Sequence, residues 1–164
     1  MGTNIDRYLT QGYRIFRGII PPALLRDLRR QADLARALAH ELNGPQTQRI
    51  QPLEQYEDRI DLQPFRDYVN LPALHDAIEE LLGPGYTHAH LHIMGLLVEP
   101  AEHPWHCGWH RDGVVEVPPE ARTPELAAEM NEFWHDLRVF NQVNCALYAD
   151  ACTWFVPVSY THLT

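Results

Sequence analysis

The sequence predicts an α+β domain, a β core decorated by helices near the N-terminus. Three observations point there. Apolar residues recur at helical spacing from Ala23 to Leu42 and from Pro72 to Leu82. The pattern then switches to a strand-like apolar run from Thr87 to Val98. Further strand-like runs follow at Leu137 to Tyr148 and Thr153 to Val156. Helices first and strands later is the order of a layered α+β domain.

Taken in order, Tyr8 to Ile20 reads as a short strand entering a turn, with Tyr13, Ile15, Ile19 and Ile20 as its apolar positions. Pro21 and Pro22 open a helix, because proline's fixed φ suits a first turn. Its apolar positions are Leu24, Leu25, Leu28, Ala32, Ala35, Leu38 and Leu42, which form one stripe with the arginines outside it. Asn43, Gly44 and Pro45 end it. Gln46 to Leu62 is polar and aperiodic, and reads as a surface loop. Pro72 starts a second helix with Leu74, Ile78, Leu81 and Leu82 on one side; Gly83, Pro84 and Gly85 stop it. The run THAHLHIMGLLV, residues 87 to 98, alternates and then turns wholly apolar, as a strand buried on both faces does. Residues 99 to 122 are irregular and rich in His, Trp, Gly and Pro. Thr123, Pro124 and Glu125 read as an N-cap, a first-turn proline and an acidic first turn, opening a helix to about Trp134.

Composition narrows the function classes. The chain has 164 residues and a formal net charge of −9. That balance speaks against a nucleic-acid backbone as partner. No apolar run approaches the roughly 20 residues of a membrane span. The start, MGTNIDRYLTQGY, lacks the basic-then-apolar pattern of a secretory signal. The cysteines Cys107, Cys145 and Cys152 are odd in number and contain no CxxC, as expected of reduced thiols in a cytoplasmic protein. The expected partner is a small-molecule substrate, with neither nucleic acid nor membrane.

Ten histidines in a chain this short direct attention to metals. The informative segment is HPWHCGWHRDG, His103 to Gly113, which contains the pair His110 and Asp112 separated by Arg111. At a strand end, residues i and i+2 share a side, so an imidazole and a carboxylate can converge on one ion. Two histidines and one carboxylate on one face of an octahedron leave open positions suited to an Fe(II) oxygenase. The plain alternative is a surface histidine beside a loop aspartate.

Four pieces of the chain resemble the phytanoyl-CoA dioxygenase family: GYRIFRGIIPPALL with its helix, LHIMGLLVEP, WHRDG and FNQVNCALYADACTWFVP. They span most of residues 10 to 157, and WHRDG and CTWFVP are the more specific. The resemblance implies a double-stranded β-helix, or jelly roll, with N-terminal helices packed on it. It implies Fe(II) as cofactor and 2-oxoglutarate and O2 as cosubstrates, in oxidation of a small organic substrate coupled to formation of succinate. His110 and Asp112 match the family's proximal metal ligands. Gln142 and Asn144 fall on the family's strand facing the pocket, where they are expected to help hold 2-oxoglutarate. The alternative for them is a pair of solvated amides on an edge strand.

Rival sites stand beside this one. His88, His90 and His92 alternate along one run, and an H-x-H pair binds zinc or the metal of a cupin-type barrel. Glu99 comes too late for the cupin spacing, and a strand face that is partly exposed or lines the pocket mouth explains the run better. His103 and His106 suit a polar loop or a substrate entrance, and Cys107 suits a free loop thiol or a weak ligand. His135 suits a helix C-terminus. A jelly-roll binding module that kept the H-x-D pair without turnover is the non-catalytic alternative.

After Val156 and Pro157 the family continues Gly-Ser-His, whereas this chain reads VSYTHLT. Those residues, Val158 to Thr164, match an in-frame translation of the transposase mosaic-end adapter used in sequencing libraries. The expectation is therefore that 1–157 is the N-terminal portion of one oxygenase domain and that 158–164 is a non-native tail. The resemblance places the distal histidine ligand, and the arginine that pairs with 2-oxoglutarate, beyond that break. His162 belongs to the tail and is no candidate for the third ligand. The 164-residue chain supplied with Fe(II) is expected to release no succinate from 2-oxoglutarate. Turnover by the purified chain, read by succinate formation, is the outcome that contradicts this.

Overall fold

The computed structural model describes residues 3–87, 89–92, 94–109, 123–126, 128–129, 141–151 and 153–154. The chain divides into two compact units. The larger holds Ile15–Trp105 and Cys145–Thr153.

Its organising element is helix α2, Pro22–Asn43. Leu28, Gln31, Ala35, Leu38 and Ala39 are its buried residues, and the three- and four-residue steps from Leu28 to Leu38 and from Ala35 to Ala39 put them on one stripe. Pro21 and Pro22 start it, and Gly44 stops it at φ 90°, donating its N–H to the His40 carbonyl at 3.0 Å. A positive φ of this kind favours glycine, which has no Cβ to clash. Against α2 packs α3, Gln63–Val69, through Phe65, Tyr68 and Val69. Phe65 is 2% exposed, and burying such a ring stabilises the fold by about 1.5–3 kcal/mol. Helix α4, Pro72–Leu82, follows after a short turn and buries Ala77 and Leu82. The ion pairs Arg59–Glu41, Arg66–Glu57 and Arg30–Asp27 are all solvent-exposed, and each adds at most about 1 kcal/mol. Apolar packing therefore dominates.

The sheet is a clip of two short strands, β1 (Arg49–Ile50) and β2 (Leu96–Leu97), paired antiparallel. Its ladder runs further than the strands. Ala101 donates to the Pro45 carbonyl, Val98 to Gln48 and Leu53 to Met94, at 2.8, 3.0 and 3.2 Å. The first two keep the register of the strands, Arg49 opposite Leu97 and Ile50 opposite Leu96, and the third slips by one residue. Gly95 falls opposite Gln51 in this register. A Cβ there would lie 2.9 Å from the Gln51 Cβ, so the two strands close over a site that admits only hydrogen. A cis peptide joins Gln51 to Pro52.

The second unit holds Met1–Arg14, with helix α1, Asn4–Gln11. Thr3 and Asp6 close a reciprocal capping box: Thr3 N–H donates to Asp6 at 2.8 Å, and Asp6 N–H to the Thr3 hydroxyl at 3.2 Å. Those bonds hold the Asp6 carboxyl below its ordinary value. Gly12, at φ 81°, ends the helix. Arg14 reaches back to the Asn4 side chain at 2.6 Å. The Thr123 hydroxyl accepts from Leu126 N–H at 3.2 Å, an N-cap bond where the sequence places a helix start.

Several expectations are corrected. A mainly β fold with a jelly roll is not what forms: among the described residues the helices dominate and β1–β2 is the only sheet. The strand expected at 8–20 does not form: Tyr8 to Gln11 complete α1, whose cap signal lies upstream at Thr3, and residues 12–20 are irregular. The segment 46–62 is no surface loop, because Ile50, Leu53, Ile60 and Leu62 are each at most 2% exposed. The strand expected at 87–98 shrinks to Leu96–Leu97. Its apolar run buries one side only, through Leu91 and Val98, while Leu97 is 56% exposed. Residues 141–148 of the expected strand 137–148 are irregular, as are Thr153 and Trp154. The helices α2 and α4 stand where the sequence puts them.

Gly95→Ala is expected to destabilise the protein by about 1–3 kcal/mol, the usual cost of overpacking. Gln51→Ala in the same chain should recover part of that loss by removing the Gln51 side-chain atoms beyond Cβ. Urea midpoints measure both, and a Gly95→Ala midpoint equal to that of the parent contradicts the close approach.

Candidate functional site

His110 and Asp112 lie outside the described residues, as does His88. Gln142 and Asn144 are described, and both are exposed on an irregular segment. The strand expected to turn them towards a pocket is not formed at 141–144. Among the described residues no group of three or more His, Cys, Asp or Glu is placed to hold a metal ion. His90 and His92 do come together, with ring centroids 5.5 Å apart and planes inclined at 58°. His103, His106 and Cys107 are exposed, and Trp109 is 74% exposed.

The polar constellation that the fold does assemble was not anticipated. It forms where residues 145–148 return onto α2 and α3. Arg29 donates from Nε to the Leu147 carbonyl at 2.6 Å, and its guanidinium lies over the Tyr148 ring, 5.1 Å from the centroid. That is a cation–π distance. The Tyr148 hydroxyl donates to the Asp33 carboxylate at 2.7 Å. One helical turn of α2 thus presents a cation and an anion to one returning tyrosine. Partial burial and the Asp33 carboxylate raise the Tyr148 hydroxyl above its ordinary value, against the opposing pull of Arg29.

Cys145, three residues earlier, meets Tyr68 of α3. Tyr68 is 9% exposed, and burial, then the neighbouring Cys145, push its hydroxyl well above the usual tyrosine range. Cys145 as a residue is exposed, but the loss of water around its thiol raises that group too. The hydrogen bond from Tyr68 opposes the rise without cancelling it. The thiolate is the reactive form of cysteine, so this environment favours an inert thiol. The cluster is built to fasten the returning segment, not to generate a nucleophile. Its sequence signal was weak: one arginine and one aspartate on a helix face, with their partner more than a hundred residues away.

No helix of the described residues is long and apolar enough to cross a membrane. No protein-family model matches the chain, and the searches of curated proteins and of solved structures returned no match.

The raised values of Tyr68 and Cys145 set a pH dependence. Both groups are neutral when protonated and are harder to ionise in the folded state. Their contribution is complete below their ordinary values and is lost as the pH rises through the folded ones. The urea midpoint should hold steady at neutral pH and fall above about pH 9.0, the ordinary value for the thiol. A Tyr68→Phe/Cys145→Ala variant should show a shallower alkaline fall. An equally steep fall in that variant places the alkaline loss in other groups.

Proposed function

We propose that the chain contributes the His110–Asp112 part of an iron site in an Fe(II)/2-oxoglutarate-dependent dioxygenase of the phytanoyl-CoA dioxygenase type. The observation that carries the reading is the motif WHRDG inside HPWHCGWHRDG. The support is the donor chemistry and its sequence setting, and the reading does not draw on the architecture. An imidazole and a carboxylate two residues apart are donors of the type that Fe(II) takes in such enzymes. When bound, Fe(II) with 2-oxoglutarate and O2 would supply C–H oxidation of a small organic substrate, with 2-oxoglutarate decarboxylated to succinate and CO2. The part of this chain's residues is binding. His110 presents an unprotonated ring nitrogen and Asp112 an ionised carboxylate, so affinity for the ion falls as either is protonated.

Co(II) stands in for Fe(II) and reports its ligands through visible absorption. His110→Ala and Asp112→Ala should each weaken Co(II) binding by about tenfold or more, since even groups that only orient ligands cost that much. Added 2-oxoglutarate should perturb the spectrum of the parent chain and not that of either variant. Binding and spectrum unchanged in both variants would remove the basis for the reading.

A further inference from the structure

We infer that His90 and His92 form a second, separate metal site: a surface chelate for a borderline divalent ion such as Zn(II). The argument starts from the residue between them. Leu91 is 4% exposed and belongs to the core of the larger unit, whereas His90 and His92 are both exposed. Leu91 also opens a turn, its carbonyl accepting from Met94 N–H at 2.8 Å, so His92 lies within that turn. Anchoring Leu91 in the core holds its two neighbours at the surface, where their rings meet. The Leu53 N–H bond to the Met94 carbonyl, at 3.2 Å, ties that turn to the β1 side of the clip.

The ring geometry fits one shared ion. With Zn–N bonds of about 2.0–2.1 Å and a tetrahedral angle, two imidazoles on one zinc place their ring centroids about 5 Å apart. The observed separation is 5.5 Å, with the rings inclined at 58° rather than stacked. Two exposed imidazoles leave the remaining positions of the ion to water or to an incoming ligand, which is the open form of a zinc site. The two histidines contribute no negative charge, so the bound ion stays strongly electrophilic towards anionic ligands.

The site is independent of the His110–Asp112 reading, and the test separates the two. Zn(II) is titrated calorimetrically into the full chain carrying His110→Ala and Asp112→Ala, and into the same variant carrying His90→Ala and His92→Ala in addition. The first variant should retain a one-to-one Zn(II) site, and the second should weaken that site at least tenfold. Zn(II) binding that is equal in the two variants overturns the proposal, and because both lack His110 and Asp112 the outcome does not depend on that pair. In the unaltered chain, Zn(II) should protect His90 and His92 from diethyl pyrocarbonate, read by peptide mass. Equal modification with and without Zn(II) likewise overturns it, and that measurement needs no variant to fold.

Discussion

The larger unit depends on burial of one stripe of α2. Leu28, Ala35, Leu38 and Ala39 are each at most 5% exposed, and they share one core cluster with Ile50, Leu53, Phe65, Leu91 and Val98. The two alanines matter as much as the leucines, because their small size lets neighbouring segments approach the helix axis closely. Gln31 is the polar exception in the stripe, at 5% exposed. Its Oε1 accepts the Asp61 N–H at 3.1 Å, so a buried amide serves as a backbone partner for the chain entering α3. A buried acceptor without such a partner costs about 1–3 kcal/mol, and the same bond sets where α3 begins relative to α2.

The polar face of α2 does a different task from the stripe. Arg36 donates to the Glu99 carbonyl at 2.9 Å and Arg29 to the Leu147 carbonyl at 2.6 Å. Both are arginines that a helical-wheel reading leaves in solvent. Each instead supplies a donor to a backbone carbonyl, Glu99 beyond the end of β2 and Leu147 on an irregular segment. These bonds explain how segments with no regular secondary structure keep a defined position on the helix.

What was legible in the sequence follows from range. Helices α2 and α4 announce themselves locally, through proline at the start, glycine at the end and a full stripe between. Helix α3 has seven residues, too few for a period to show, and its Phe65, Tyr68 and Val69 make sense only against α2. The run from Thr87 to Val98 was misread because an apolar stretch gains burial from a helix as readily as from a sheet. Only its partner, residues 45–53, decides how much of it becomes strand. For the site, His90 and His92 were legible as a pair from their spacing, but the core anchor at Leu91 was not. The Arg29–Tyr148–Asp33 cluster lay beyond local patterning altogether, and the two amides Gln142 and Asn144 took their supposed direction from a strand that residues 141–144 do not form.

The distance in sequence between Arg29 and Leu147 carries a consequence for biosynthesis. Their bond spans 118 residues, so at roughly 5–20 residues per second the ribosome releases Arg29 on the order of ten seconds before its acceptor exists. The α2 stripe need not wait that long, because its partners in β1, α3 and β2 emerge much sooner. What stands unmet in the interval is an arginine and an aspartate, groups that water solvates well. The polar part of this latest contact is thus made by side chains suited to delay, and the apolar surface left open until then is the small patch that Leu147 and Cys145 come to cover.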